Sequence, residues 1–204
     1  DIDADGDPDL VLACEWGSVM LLLNEGGTFI DASEPWGLTQ HTGLWHGVAL
    51  ADFDGDGRLD IAASNAGRNT AYELYPKPVR LFYGDADGDG VMEIAEAFAD
   101  TVTNQWKPIR KLDVFTKTFP QVQERITHNG VFAASVLPNI IGPAFHEMKS
   151  LGIRTLSNAV FLNKKGRFEM RPLLDAAQFS PAYGLCANDF DGDGLADLFL
   201  TQNY

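Results

Sequence analysis

The chain has 204 residues, 45% of them hydrophobic, enough for one ordinary domain with a real core. Its formal net charge of −14 argues against nucleic acid as a partner, and no run is long and apolar enough to span a membrane as a helix. Two cysteines, Cys14 and Cys186, are too few for a disulfide framework; both lie in apolar, strand-like stretches and read as buried thiols, with a single Cys14–Cys186 disulfide as the alternative.

The chain opens inside a motif, on Asp1, Asp3, Asp5, Asp7 and Asp9 with Gly6 among them, so we read it as a segment of a longer protein. The apolar run "LVLACEW" that follows predicts strand. Residues 19–33, "VMLLLNEGGTFIDAS", predict a hairpin: strand, Asn24, a glycine turn, Phe29, strand. "GVALADF" predicts a strand leading into Asp52, Asp54, Asp56, Gly57 and Asp60, and "DIAASNAG" a strand leading out. "PVRLFYG" predicts a strand into a third cluster, Asp85, Asp87, Asp89, Gly90 and Glu93, with Glu96 three residues further on. The next segment, "IAEAFADTV", has helical character, so this copy predicts strand in and helix out.

Residues 99–157 break the pattern. Leu112, Phe115 and Phe119 form one apolar face at helical spacing and Val131, Phe132 and Val136 another, while Pro120, Pro138 and Pro143 divide the segment into short helices. Basic residues outnumber acidic ones by four between Asn104 and Asn158, which reads as a helical subdomain with solvated charges or, more sharply, as a partner surface. Residues 159–173, "AVFLNKKGRFEMRPL", then repeat the earlier hairpin, aligning Asn163 with Asn24 and Phe168 with Phe29. "GLCANDF" predicts a strand into Asp189, Asp191, Asp193, Gly194 and Asp197, and "DLFLTQNY" a strand out.

The four clusters share one register, with acids at positions 1, 3, 5 and 9 and glycine at 6, and with Glu96 they hold eighteen of the 29 acidic residues. Without those eighteen the formal charge would be +4, so the acidity is local. Calcium takes six to eight hard oxygens at about 2.3–2.6 Å, and short Asp side chains at alternate positions of a tight loop converge on one point. Position 7 would add a backbone carbonyl, from Asp7, Arg58, Val91 and Leu195. An EF-hand would end on a bidentate Glu at position 12, where three copies carry Leu12, Ala63 and Leu200; the third carries Glu96, a candidate extra ligand. A single such cluster reads well as a solvated turn. Four in register do not, because carboxylates held so close repel unless a cation lies among them. The expected cofactor is therefore Ca2+, at up to four sites.

No nucleophile, zinc-protease, phosphate-loop or dinucleotide motif is present, so no catalytic residue is assigned. His41, His46, His128 and His146 read as packed or surface histidines, with Trp45-His46 the pair placed to face a binding mouth. Trp16, Trp36, Trp45 and Trp106 could stack on sugar, though core packing is the simpler reading. A loop hairpin followed by a plain hairpin makes a four-stranded unit, and the first two loops lie 51 residues apart, a spacing that suggests propeller blades.

"LLLNEGGTFIDASEPWGL", "GVALADFDGDGRLDIAASN" and "GLCANDFDGDGLADLFLTQN" resemble the FG-GAP/VCBS repeats of calcium-binding β-propellers, found in integrin α-subunit heads and in bacterial secreted proteins, especially those associated with ASPIC/UnbV-type domains. The resemblance implies a mainly β fold: a partial propeller of about three blades and the start of another, from a ring of about seven. Its blades would occupy residues 1–98 and 158–204, with residues 99–157 as an α-helical insertion. It also implies an extracellular, periplasmic or cell-surface scaffold for recognition or adhesion, with structural calcium. The partners would be a protein or carbohydrate ligand and the remaining blades of a longer chain. The alternative is part of a secreted enzyme acting on polysaccharide.

Overall fold

The acidic loops are flanked by short, largely apolar runs that pair with one another as antiparallel strands, so the chain on either side of the later loops extends. The structure, a computed structural model, describes residues 1–203; Tyr204, which ends the run "DLFLTQNY", lies outside the described residues. The strands are β1 (Leu10–Leu12), β2 (Glu15–Gly17), β3 (Met20–Glu25), β4 (Thr28–Asp31), β5 (Gly43–Leu44), β6 (Gly47–Ala51), β7 (Asp60–Ser64), β8 (Val79–Gly84), β9 (Glu93–Ala99), β10 (Trp106–Pro108), β11 (Lys149–Ile153), β12 (Ala159–Asn163), β13 (Phe168–Pro172), β14 (Ala182–Asn188) and β15 (Asp197–Gln202). Three short helices, α1 (Leu112–Thr118), α2 (Asn129–Ala134) and α3 (Leu137–Ile141), complete a mainly β chain.

The chain divides into two compact units, one built from Asp1–Glu73 together with the chain from Ile153 onward, the other from Leu74–Gly152. In the first unit, β6, β7, β12 and β13 form an antiparallel sheet in the order β13-β12-β7-β6. Strands β1, β3 and β4 repeat the arrangement of β7, β12 and β13: the strand leaving an acidic loop pairs with the first strand of the asparagine hairpin. Strands β14 and β15 form a two-stranded hairpin around the fourth loop, and β2 pairs with β5.

The core of this unit gathers Ile2, Leu21, Leu38, Trp45, Ile61, Phe161 and Phe168. Phe161 is fully buried, edge-on to Trp45 at 5.4 Å between ring centroids and to His41 at 5.7 Å. Where β7 leaves the sheet and β12 enters it, buried Asn65, Asn158 and Gln178 satisfy one another's backbone. The Asn65 N–H donates to Asn158 Oδ1 at 2.5 Å, the Asn158 N–H to Gln178 Oε1 at 2.9 Å, and Gln178 Nε2 back to the Asn158 carbonyl at 2.9 Å. Gly67 sits in the same corner with φ +73°, and a Cβ there would lie 2.7 Å from the Ser180 carbonyl oxygen, so both backbone and space require glycine.

The second unit holds an antiparallel sheet ordered β10-β9-β8-β11. Here the expected helix after the third loop is instead strand β9. Its side chains alternate, with Glu93, Ala95 and Ala97 buried and Ile94 exposed, and it pairs with β8 from Arg80↔Ala97 to Gly84↔Glu93. A period of two with a free neighbouring edge outweighs the helical preference of Ala and Glu. The helical segment covers one face of this sheet: Phe115, Phe119, Phe132, Leu137 and Ile140 pack with Phe82, Ala95 and Ala97. Phe115 and Phe119 stack at 4.8 Å as their spacing predicts, and Pro120, Pro138 and Pro143 each stand at the start of a helical turn. Of the face expected from spacing, Phe132 is buried, whereas Val131 is exposed.

The repeat pattern divides the sequence at 98/99 and 157/158, whereas packing divides it at 73/74 and 152/153. Because β7 and β12 are neighbours in one sheet, the whole stretch 65–158 lies between paired strands, and the third acidic loop falls in the second unit with the helices. The cysteines are both free; Cys14 is half-buried, but Cys186 is exposed on β14 rather than buried, because its strand presents that side to solvent.

Truncating the central ring of the first core, Phe161→Ala, is expected to cost about 3–5 kcal/mol, read as a lower denaturation midpoint at unchanged slope. In the β9–β10 turn, Asp100 Oδ1 accepts the Val102 and Thr103 N–H groups and the Thr103 hydroxyl, and Oδ2 lies 3.2 Å from Lys107 Nζ. These bonds, those from Thr103 foremost, hold its pKa at about 2 against 3.8. The stability they contribute is fully present above pH 3.8 and is lost as pH falls through about 2. Asp100→Asn should therefore flatten the fall of melting temperature with acid across that window.

Candidate metal centres

Each acidic loop is wound by its own carboxylates before any ion is considered. In the second loop, Asp52 Oδ1 accepts the Gly55 N–H at 2.8 Å and Asp52 Oδ2 the Gly57 N–H at 2.8 Å. Asp85 does the same for Gly88 and Gly90, and Asp189 for Gly192 and Gly194. Position 5 accepts the N–H two residues on: Asp5 from Asp7, Asp56 from Arg58, Asp89 from Val91 and Asp193 from Leu195, at 2.7–3.1 Å. The position-6 glycines Gly6, Gly57, Gly90 and Gly194 all lie in the left-handed region, which lets successive amides turn inward.

Position 9 has a structural task that its place in the motif does not reveal. It reaches back seven residues to the N–H at position 2: Asp9 to Ile2 at 2.6 Å, Asp60 to Phe53 at 2.9 Å, Glu93 to Ala86 at 2.6 Å and Asp197 to Phe190 at 3.0 Å. In the first two copies its other oxygen accepts the N–H of the aligned asparagine in the plain hairpin: the Asn24 N–H donates to Asp9 at 2.9 Å and the Asn163 N–H to Asp60 at 2.7 Å. The repeated Asn therefore marks where a hairpin is tied to a loop. Asp60 is fully buried, and burial raises its carboxyl pKa against the opposing pull of the Asn163 and Phe53 amides, with Asp54 and Asp56 adding to the rise.

The loops gather carboxylates as triads: Asp1, Asp3 and Asp5; Asp52, Asp54 and Asp60; Asp85, Asp87 and Glu93; Asp189, Asp191 and Asp197. Within each, one oxygen per residue lies within 4.8 Å of the others. The donor sets are hard oxygens throughout, the chemistry that suits calcium and poorly suits softer metals. Asp7 and Asp9 stand outside the first triad: Asp7 Oδ2 accepts the Gly26 N–H at 3.0 Å, and Asp9 is engaged as above. Asp56, Asp89 and Asp193 stand outside theirs, each accepting a backbone amide. Val91 and Leu195 are exposed at position 7, and the Arg58 side chain donates from Nε to the Asn163 carbonyl at 2.8 Å. Glu96 does not join the third triad; Arg110 Nε lies 2.7 Å from its Oε2. In a strand, residues three apart point to opposite faces, so Glu93 and Glu96 cannot converge as they would across a loop-to-helix junction.

The second loop is held by cations of the chain itself. Lys164 Nζ bonds Asp54 Oδ2 and lies 3.6 Å from Asp56 Oδ2, and Arg58 Nη2 bonds Asp56. The Lys164 bond lowers the Asp54 pKa, and the same bond raises that of Lys164. Elsewhere the tryptophans serve packing: Trp36 against Phe168, Trp45 against Phe161, Trp106 against Phe82, Trp16 against Tyr72. His46 stacks on Tyr183 at 4.5 Å and its Nδ1 lies 2.9 Å from the Ala182 carbonyl.

If Asp60 clamps the loop as well as facing a cation, Asp60→Ala should destabilise the chain without metal, by about 2–4 kcal/mol for two orphaned amides. Asp193→Ala, which frees one exposed amide, should cost less than about 1 kcal/mol. Urea denaturation in excess chelator measures both.

Residues 1–63 match the family model of the FG-GAP-like repeat. Two curated relatives, both named cartilage acidic protein 1, align with 95% of this chain: that of Xenopus tropicalis is 29% identical over 198 residues, that of Homo sapiens 28% over 197. The chain spans 26% of the length of each. The family match runs from the first acidic loop through the asparagine hairpin and the second loop into β7, the stretch in which Asp9, Asn24 and Asp60 lie.

Proposed function

We propose that this chain is a calcium-binding segment of a β-propeller that serves as an extracellular recognition or adhesion scaffold, with calcium in a structural role. The observation that carries the reading is the four carboxylate triads, each built at the same spacing on a loop already curled by its own side chains. Calcium would be held by these triads, supplying the charge that opposes their repulsion and fixing the turn between two strands. The sheet ordered β13-β12-β7-β6 suits one blade, and β1-β3-β4 suits three strands of another. Placement outside the cell draws support from the FG-GAP-like match and from relatives named for cartilage and acidity, alongside this chain's own charge of −14. A scaffold role, rather than catalysis, fits carboxylates engaged with backbone amides and tryptophans engaged in packing.

Calcium should raise the melting temperature and chelator should reverse it, because an ion that binds only the folded chain stabilises it by about 2.7 kcal/mol at a hundred times its Kd. Asp191→Ala should remove part of the gain while leaving the metal-free melting temperature close to that of the parent. A melting curve indifferent to calcium would overturn the structural role.

A further inference from the structure

The second loop stands apart because a lysine side chain of the chain bonds one of its triad carboxylates. We propose that Lys164 is a tethered competitor for the cation at this loop, making it the weakest of the four calcium sites. The inference rests on the calcium reading above and concerns how the sites are ranked.

Lys164 is the first residue after β12, in the turn to β13, and its placement is not left to a flexible side chain alone. The Asn163 N–H before it donates to Asp60 Oδ1 at 2.7 Å, and the Asn163 carbonyl accepts Arg58 Nε at 2.8 Å. The turn is thereby bound to the loop on two sides, and the ammonium is delivered onto Asp54, a member of the triad, with Asp56 close by. An ammonium bonded to a triad carboxylate must leave before that oxygen can turn to a divalent ion, so each binding event includes breaking the pair. Lys164 is 41% exposed at its side chain, so it can swing into water when displaced.

The other copies lack the device. Glu25 occupies the aligned position after Asn24 in the first hairpin, adding an acid where the second has a base. Among the described residues, no lysine or arginine is paired with the triad members Asp85, Asp87 and Glu93 or Asp189, Asp191 and Asp197. The asymmetry gives a sequence of filling: the uncompensated loops first, the second loop last, as calcium rises.

The position-6 amides report the loops separately, so a calcium titration of the full chain followed by 1H–15N NMR can rank them. In the parent, Gly57 should move at a higher calcium concentration than Gly90 or Gly194. Lys164→Gln should lower the Gly57 midpoint by about tenfold, the scale of one unit charge a few ångströms away at a wet surface, and leave Gly90 and Gly194 where they were. Lys165→Gln, one residue on, should change none of the three. A Gly57 midpoint that stays in place in Lys164→Gln, or that shifts only together with the other two, overturns the competitor role while leaving calcium binding intact. Silence of all three glycines overturns the calcium reading itself, and the competitor with it.

Discussion

A carboxylate that accepts the amide seven residues before it closes each acidic loop of this chain, and most of the architecture depends on that bond. It sets where the first strand ends and the next begins, since Asp60, Glu93 and Asp197 are each the first residue of the strand leaving a loop. It also commits one oxygen of an acid inward, so the side chain cannot relieve its neighbours' repulsion by swinging into solvent. In the first and second copies the second oxygen reaches the asparagine of the following hairpin, at Asn24 and Asn163, and joins two hairpins into one sheet. Loop, hairpin turn and sheet order are thus one connected hydrogen-bond system rather than three separate features.

That system shapes the electrostatics. The amides that wind each loop donate to positions 5 and 9 in every copy, and to position 1 in the last three, partly neutralising carboxylates that would otherwise repel at short range. A loop curled in this way needs little rearrangement to receive a cation, so less of the binding free energy is spent on ordering. The second loop carries the idea further, with Lys164 and Arg58 supplying full positive side-chain charges to Asp54 and Asp56.

The acid register, the strands on either side of the second and fourth loops and the paired asparagine hairpins were legible in the sequence because all arise from local patterns: alternate aspartates, a glycine that must turn, a short apolar run. The alignment of Asn24 with Asn163 was visible too, although its purpose, a bond to Asp9 and Asp60, was not. Strand β9 was misread as a helix because Glu96 completes an EF-hand pattern and Ala and Glu favour helix; what decides the matter is the edge of β8, which no local window contains. Lys164 and Asp54 lie 110 residues apart, and Asn65 and Asn158 lie 93 apart, so neither pairing could be read from spacing. Phe115 and Phe119 were placed correctly by helical period, whereas Val131 was not, because a helix as short as α2 buries one side chain and leaves its neighbours in water.

The adjacency of β7 and β12 has a kinetic side. Their ladder joins Ile61 to Phe161 across all of residues 65–158, which must be gathered before the two strands can meet. An unfolded stretch of that length makes closure slow, because the entropy of bringing its ends together is lost before any ladder bond forms. Collapse of the inserted unit around Phe82 and Phe119 would shorten the effective loop. Assembly of the first unit's central sheet is then gated by a segment that contributes no strand to it.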